Sequence, residues 1–219
     1  MEQLLTLSGH GPRPGMPLEI LAALTLVAIA PFLLVMTTSF VRIVVVLSLV
    51  RSAIGASSLP PNTVLTGLAL VLTFVIMTPT LEQVTRQAVD PYTQGKISEP
   101  AMLERAFEPL RAFMVRQTHT KDLALFARLA HVPDPEPARA SPTVLLPAFV
   151  VGELRSAFAI GFALYLPFVA IDLAVASILM GLGMFMLSPP IVSLPCKLLL
   201  FVMVDGWALV CGGVVSSFR

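Results

Sequence analysis

Five charged residues stand in otherwise apolar surroundings: Glu153, Arg155, Asp172, Lys197 and Asp205, all within residues 144–218. A charge at the centre of a bilayer costs about 2.5–3.5 kcal/mol on insertion scales, so five of them require compensation. They can pair with each other, face a water-filled lumen, or stand outside the lipid. Glu153 and Arg155 also suit an interfacial position from which they snorkel to water. Asp172 and Lys197 flank the break Ser188, Pro189, Pro190, so a fold-back there brings them together, within one chain or between copies. Lys197 and Asp205 are eight positions apart, about 12 Å along a helix at 1.5 Å per residue. That is too far for a direct pair on one straight helix.

The chemistry on offer is ion pairing and contact with water. No GxSxG, HExxH, phosphate-binding loop or paired-aspartate protease motif occurs in the sequence. His10, His119 and His131 lie outside the apolar runs and have no companion at metal-ligand spacing. Cys196 and Cys211 sit in apolar segments and are expected to be buried free thiols. No enzyme activity, metal or cofactor is expected.

A second unusual feature is the run "MGLGMFMLSPPIVSLPCKLLLFVMVDGW" at 180–207. Met180, Met184 and Met186 gather with Phe185 just before Pro189 and Pro190, over a backbone loosened by Gly181 and Gly183. Thioether chains are unbranched and conformable, so they serve either as core filler or as a pliable seal around changing contents.

The elements that must hold these residues follow from composition. The 219 residues are 56% hydrophobic and 12% charged, about half the charged share of a soluble domain, with mean hydropathy +0.88. A membrane protein is expected, all-α, built of polytopic helical hairpins. The net charge of +1 gives no reason to expect nucleic acid. Of 27 charged residues, 16 fall between Glu82 and Thr143, so the order is apolar, polar, apolar. Residues 1–17 form an N-terminal segment that does not read as a signal peptide. Residues 18–81 are a first apolar helical half, with a possible break after "TTSF" and a turn at Pro60 and Pro61. Residues 82–143 read as a small polar helical domain with a Pro-rich linker at 132–143. In it Ser98 should cap one helix, kinked at Pro109. Thr120 should cap a second, with Leu123, Phe126 and Leu129 or Ala130 on one face. With few aliphatic residues, this domain should lean on a partner. Residues 144–219 are the second apolar half, broken near 188–190, with Pro195 a second candidate break. Small residues recur at Ala148, Gly152 and Ser156, then Ala157 and Gly161, and again at Ser177 and Gly181. This spacing lets membrane helices approach closely.

Several long motifs resemble one family. "TSFVRIVVVLSLVRSAIGASSLPPNTVLTGLALVLTFVIMTP" (38–79), "LPAFVVGELRSAFAIGF" (146–162), "LPFVAIDLAVASILMGLGMFMLSP" (166–189) and "SLPCKLLLFVMVDGW" (193–207) are similar to the FliP/SctR family of type III secretion export gates. "PLRAFMVRQTHTKDLALFARLA" (109–130) is similar as well. The resemblance implies a helical export-gate cone in the bacterial inner membrane, largely on its periplasmic side, with 82–143 in the periplasm. It implies a homo-pentamer with FliQ/SctS-type and FliR/SctT-type subunits and an FlhB/SctU-type switch protein, passing unfolded exported proteins. It places Met184, Phe185 and Met186 at the family's methionine-rich pore gasket, where Phe185 departs from the usual methionine. Arg42, Glu153, Arg155, Asp172, Lys197 and Asp205 match the family's charged positions, and Pro189 and Pro190 its loop break. The missing signal peptide points to the injectisome type and "LALFARLA" to the flagellar type, with flagellar the expected side. A secondary transporter or ion-channel subunit with broken helices and a poreless scaffold remain as alternatives. The eight Lys/Arg and eight Asp/Glu of 82–143 leave the positive-inside rule nearly silent on topology.

Overall fold

The computed structural model describes residues 16–56, 58–133 and 136–218. His10 and most of the expected N-terminal segment lie outside the described residues. The chain divides into two units, residues 1–35 and 36–219. Every element among the described residues is helical.

The first unit contributes most of α1 (Met16–Thr37). Leu24, Ile29, Phe32 and Leu34 are all exposed on it, the pattern of a helix that is apolar all round.

The second unit begins as α1 ends and α2 (Phe40–Ile54) starts, so "TTSF" is a break. Gly55 closes α2 in the left-handed conformation (φ 85°), its N–H donating to the Ser52 carbonyl, a cap that glycine adopts without strain. From Asn62, α3 (Asn62–Val84) passes through a π turn (Thr85–Val89) into the short α4 (Asp90–Thr93). Pro91 explains the widened turn, since it lacks an N–H and its ring crowds the carbonyl four residues back. The expected boundary at 81/82 therefore falls inside one continuous helical run of 32 residues. At 1.5 Å per residue that run is about 48 Å long, against a hydrocarbon core of about 30 Å. Its charged end, with Glu82, Arg86 and Asp90, has length to spare beyond the lipid.

In the polar stretch, α5 (Glu99–Gln117) is N-capped by Ser98, without a side-chain hydrogen bond, and runs through Pro109 as one helix. The N-cap of α6 (Thr120–Leu129) is His119, one residue before the expected Thr120. Its buried face is Asp122, Leu123 and Ala127. Leu129 is 63% exposed, so the expected apolar stripe drifts off the core. Among its described residues the linker contains one 3-10 turn (Pro137–Arg139), and it is pinned where Arg111 Nη2 donates to the Ala140 carbonyl at 2.9 Å.

The spine is α7 (Pro142–Gly181), 40 residues that continue through Pro147 and Pro167. It is followed by a loop, then α8 (Pro189–Met203), unbroken at Pro195, and α9 (Gly206–Ser216). The last two helices are bent by 65° about Val204 and Asp205. Among the described residues, Asn62–Thr93 and Pro142–Gly181 are each long and apolar enough to cross a membrane, and α8 with α9 passes the same test as a broken pair.

Two hydrophobic clusters hold the unit together. In one, Ile43, Val46, Leu47 and Val50 of α2 meet Ala157 and Phe168 of α7, with Phe201 and Val210 from α8 and α9. In the other, Phe113 and Met114 of α5 and Leu123 of α6 pack on Leu145, Ala148 and Phe149 of α7 and Met77 of α3. The partner on which the polar stretch leans is thus the apolar half of its own chain. Each fully buried residue such as Leu145 or Phe149 contributes about 1.5–3 kcal/mol. The stripe Ala148, Gly152, Ala157, Gly161 is buried, and a Cβ at Gly161 would overlap the Leu49 side chain of α2. A glycine is required there for α2 and α7 to approach. Gly181 meets open space, so among the described residues no helix packs against it.

Candidate functional site

Three ion pairs fasten other elements to α7. At the deepest, Arg42 of α2 (3% exposed) meets Glu153 of α7 (0% exposed). Nε donates to Glu153 Oε2 at 2.9 Å and Nη2 to Oε1. The remaining donors reach Gln117 Oε1 at 3.2 Å and the Ser217 carbonyl and Oγ at 3.0 and 3.1 Å. Five acceptors therefore match the five N–H groups of a guanidinium. The Phe218 ring lies over the same group, 3.8 Å from its carbon to the ring centroid, and stacks in turn near Phe113. One buried cation thus ties together α2, α7, the end of α5 and the residues after α9.

Two residues along, about half a turn round the helix, Arg155 grips Asp122 of α6 through two bonds, 2.6 and 2.7 Å. Asp122 is buried while the Arg155 side chain is 42% exposed, so this pair sits at an edge. Bidentate carboxylate binding fixes orientation as well as distance.

The third pair lies across the fold-back. Lys197 Nζ donates to Asp172 Oδ2 at 2.6 Å, and Ser193 Oγ donates to Oδ1 at 2.5 Å. Asp172 is nine residues before the end of α7 and Lys197 eight after the start of α8. Both are about 12–14 Å from the loop at 1.5 Å per residue, so the pair sets the register of two antiparallel helices. Lys197 and Ser193 are buried, four apart on one face of α8.

Beyond that clamp is the loop between α7 and α8. Gly183 takes φ 74° and turns the chain. Met184 is 43%, Phe185 78% and Met186 99% exposed, while Pro189 and Pro190 open α8 at positions where the missing N–H costs nothing. Asp205 occupies the other break, exposed, at φ 50°, in no ion pair among the described residues. Cys196 is exposed, contrary to the buried thiol expected. Cys211 is half-buried, and both are free. Among the described residues no group of three His, Cys, Asp or Glu could hold a metal.

The sequence places Arg42, Glu153, Arg155, Asp172, Lys197 and Asp205 among the structural charges; the fold pairs Arg42 with Glu153 and Lys197 with Asp172, gives Arg155 an acid from outside this set, and leaves Asp205 in no ion pair among the described residues. The sequence shows no sign of Asp122, Gln117 or Ser193. An acid in the first turn of α6 already has a sufficient reason in the helix dipole, so spacing could not mark Asp122 as a partner.

The FliP family model matches residues 23–214, a span that includes all three pairs and the loop. The chain belongs to the FliP family. It is 52% identical over 201 residues to a flagellar biosynthetic protein FliP of Pectobacterium carotovorum subsp. carotovorum, covering 91% of this chain and 78% of that one. It is 47% identical over 201 residues to the protein of that name in Bacillus subtilis (strain 168), covering 91% of each. It is also 48% identical over 202 residues to the one in Caulobacter vibrioides, covering 92% and 76%. All three relatives carry the flagellar name, which resolves the conflicting cues in the sequence. This FliP-family chain is an integral membrane component of the flagellar export apparatus.

Proposed function

We propose that this chain is a subunit of a gated conduit through which unfolded proteins cross the inner membrane, and that Met184, Phe185 and Met186 form its constriction. The observation that carries the reading is the clamped hairpin. A buried Lys197 and its Asp172 hold α7 and α8 in register, and the tip beyond them bares Met186 almost completely. Burying side chains of this kind stabilises by about 1.5–3 kcal/mol each, so a rigid stem that leaves them bare suits a tip meeting equivalent tips from neighbouring copies. Conformable thioethers close around varied cargo without recognising its sequence, and a dry apolar ring stops ions when the passage is empty.

On this reading five copies assemble with FliQ-type and FliR-type subunits and an FlhB-type switch protein. The apolar faces left open on α3, α7 and α8, with Phe74, Phe162 and Ile191 more than 60% exposed, meet those partners or lipid. Much of the cone then stands on the periplasmic side, which relieves the cost of the charges in α7 and α8. The work of export comes from elsewhere in the apparatus.

The test replaces Met184, Phe185 and Met186 together by alanine in the assembled complex and measures ion conductance across planar bilayers. Leakage should rise while the complex is recovered in normal yield. Wild-type conductance from a fully assembled variant removes the constriction from these residues. Native mass measurement of the gently solubilised complex should show five copies with smaller helical partners.

A further inference from the structure

The joint between α8 and α9 tolerates its 65° bend but does not favour it. Asp205 takes φ 50° and ψ 55°, the left-handed region that costs any side chain something and that glycine alone enters freely. As at the start of any helix, the N–H groups of Gly206, Trp207 and Ala208 have no carbonyl within α9 to meet. In a straight run they would donate to Val202, Met203 and Val204, four residues back. In the bend the Val202 carbonyl is taken by the Asp205 N–H at 3.1 Å instead. Gly206 leaves room for the Phe201 ring, which a Cβ there would overlap. Beside the joint is an apolar space of about 180 Å³ among Val50, Leu164, Phe168, Val204 and Val210, so the root of α9 is loosely packed.

The far end of α9 is held much more firmly. Gly206, Val210 and Val214 are its buried stripe, and four residues further on the same face comes Phe218. Its side chain packs against both hydrophobic clusters, with the ring over the Arg42 guanidinium at 3.8 Å and stacked near Phe113 at 6.2 Å. The Ser217 carbonyl and Oγ accept from Arg42 Nη1, and Gln117 Nε2 donates to the Phe218 carbonyl at 3.4 Å. Among the described residues, Gly206–Ser216 makes no side-chain hydrogen bond to another helix. The polar hold on α9 thus comes from two residues beyond its last turn, past residue 214 where the family match ends.

We propose that Ser217 and Phe218 form a latch that holds α9 bent onto the core, and that α9 comes into line with α8 when the latch is released. The released form is one helix over 189–216, about 42 Å long at 1.5 Å per residue. In it Asp205 is relieved of its left-handed conformation and the three free N–H groups regain carbonyl partners. Arg42 gives up the Ser217 acceptors and keeps Glu153. The latched chain buries Val210, Val214 and Phe218 against itself, and the released chain offers them to a neighbour. The device is independent of the constriction and stands or falls separately from it.

The experiment places spin labels at Arg116→Cys and Gly212→Cys in the full chain in detergent, with Cys196→Ser and Cys211→Ala to remove the native thiols. Both label positions are exposed, and a side chain at 212 meets open space. Position 212 is about 11 Å from the joint at 1.5 Å per residue, so turning α9 through 65° moves it by about 12 Å. Pulsed dipolar spectroscopy should give one short-distance population for this parent chain. Phe218→Ala should transfer most of it to a longer distance with helix content unchanged. Adding Asp205→Gly should favour the bent form again by about fivefold, because glycine takes the left-handed conformation freely and weakens a straight helix. A chain that was merely destabilised would lose helix and gain nothing from a glycine at the joint. If Phe218→Ala cannot be purified, Phe218→Leu decides: it keeps apolar bulk, loses the ring over Arg42, and should still produce the longer population. An unchanged distance in the latch variants, a parent chain already in the long form, or no response to Asp205→Gly each overturns the proposal.

Discussion

Replacing Glu153 by glutamine tests the buried node at its centre. The substitution keeps volume and one acceptor oxygen but places an amide NH₂ where Oε1 or Oε2 now accepts from Arg42. One charge-assisted hydrogen bond, worth about 1.5–3 kcal/mol, is lost. A guanidinium whose side chain is 4% exposed loses its counter-ion. Removing one partner of a buried pair costs about 3–5 kcal/mol, and the acceptors on Gln117 and Ser217 remain, so a loss of about 3 kcal/mol is expected. Arg42→Met should cost at least as much, because it strands a carboxylate with no exposure. The pair Arg42→Met with Glu153→Leu removes both charges at similar volume and orphans only the Gln117 and Ser217 groups. It should lose about 1–2 kcal/mol, less than either single change. The assay is a denaturing-detergent titration of the purified chain, followed by far-UV circular dichroism and by the fluorescence of Trp207, the sole tryptophan. A Glu153→Gln loss under 1 kcal/mol, or a double variant that loses the sum of the singles, refutes the claim that this node holds four elements together.

Two further outcomes follow from the packing of α7. Gly161→Ala should destabilise by about 1–3 kcal/mol through overlap with Leu49, although alanine ordinarily gains about 1 kcal/mol over glycine in a helix, and adding Leu49→Ala should recover much of the loss in the same titration. A net gain from Gly161→Ala alone would mean that α2 can back away at little cost. Asp172→Lys and Lys197→Asp should each lower recovery of the assembled complex on purification, and the two together should restore most of it. Equal loss in the swapped chain would show that the pair does more than set the register of the hairpin.

The helical class and the fold-back at Pro189 were readable from composition and spacing, which left open both the break after Thr37 and the pairing of Asp172 with Lys197 within one chain. What was readable is local or crosses a single turn. The partners of Arg42 and Arg155 were not, because Arg42 reaches Glu153 across 111 positions and Arg155 reaches Asp122 across 33. Which acid an arginine meets depends on how α5 and α6 fold back onto α7, and periodicity within a helix carries no information on that. Charge density changes at Glu82, but backbone hydrogen bonding does not, and the run continues to Thr93. Proline was a poor guide within helices and a good one at their starts. Pro109, Pro167 and Pro195 are absorbed in α5, α7 and α8, while Pro61 and Pro189 stand at helix openings.

The distribution of polar bonds along α7 assigns different duties to its two ends. Glu153 and Arg155 join the first half to α2, α6 and the C-terminal residues, in a region that also contains the Phe113–Phe149 edge contact. Among the described residues, the Asp172 clamp is what joins the second half to another element by polar bonds, and Phe162, Leu166, Leu173 and Ile178 are exposed on it. Buried ion pairs left with one partner are costly, so the first half behaves as a fixed frame. Exposed apolar surface on a helix beyond that frame is satisfied only by lipid or by another chain. The rigid end therefore belongs to the protomer and the open end to the assembly. The methionine loop, at the far tip of the open end, is positioned by the one pair that would have to break before it could swing free of α8.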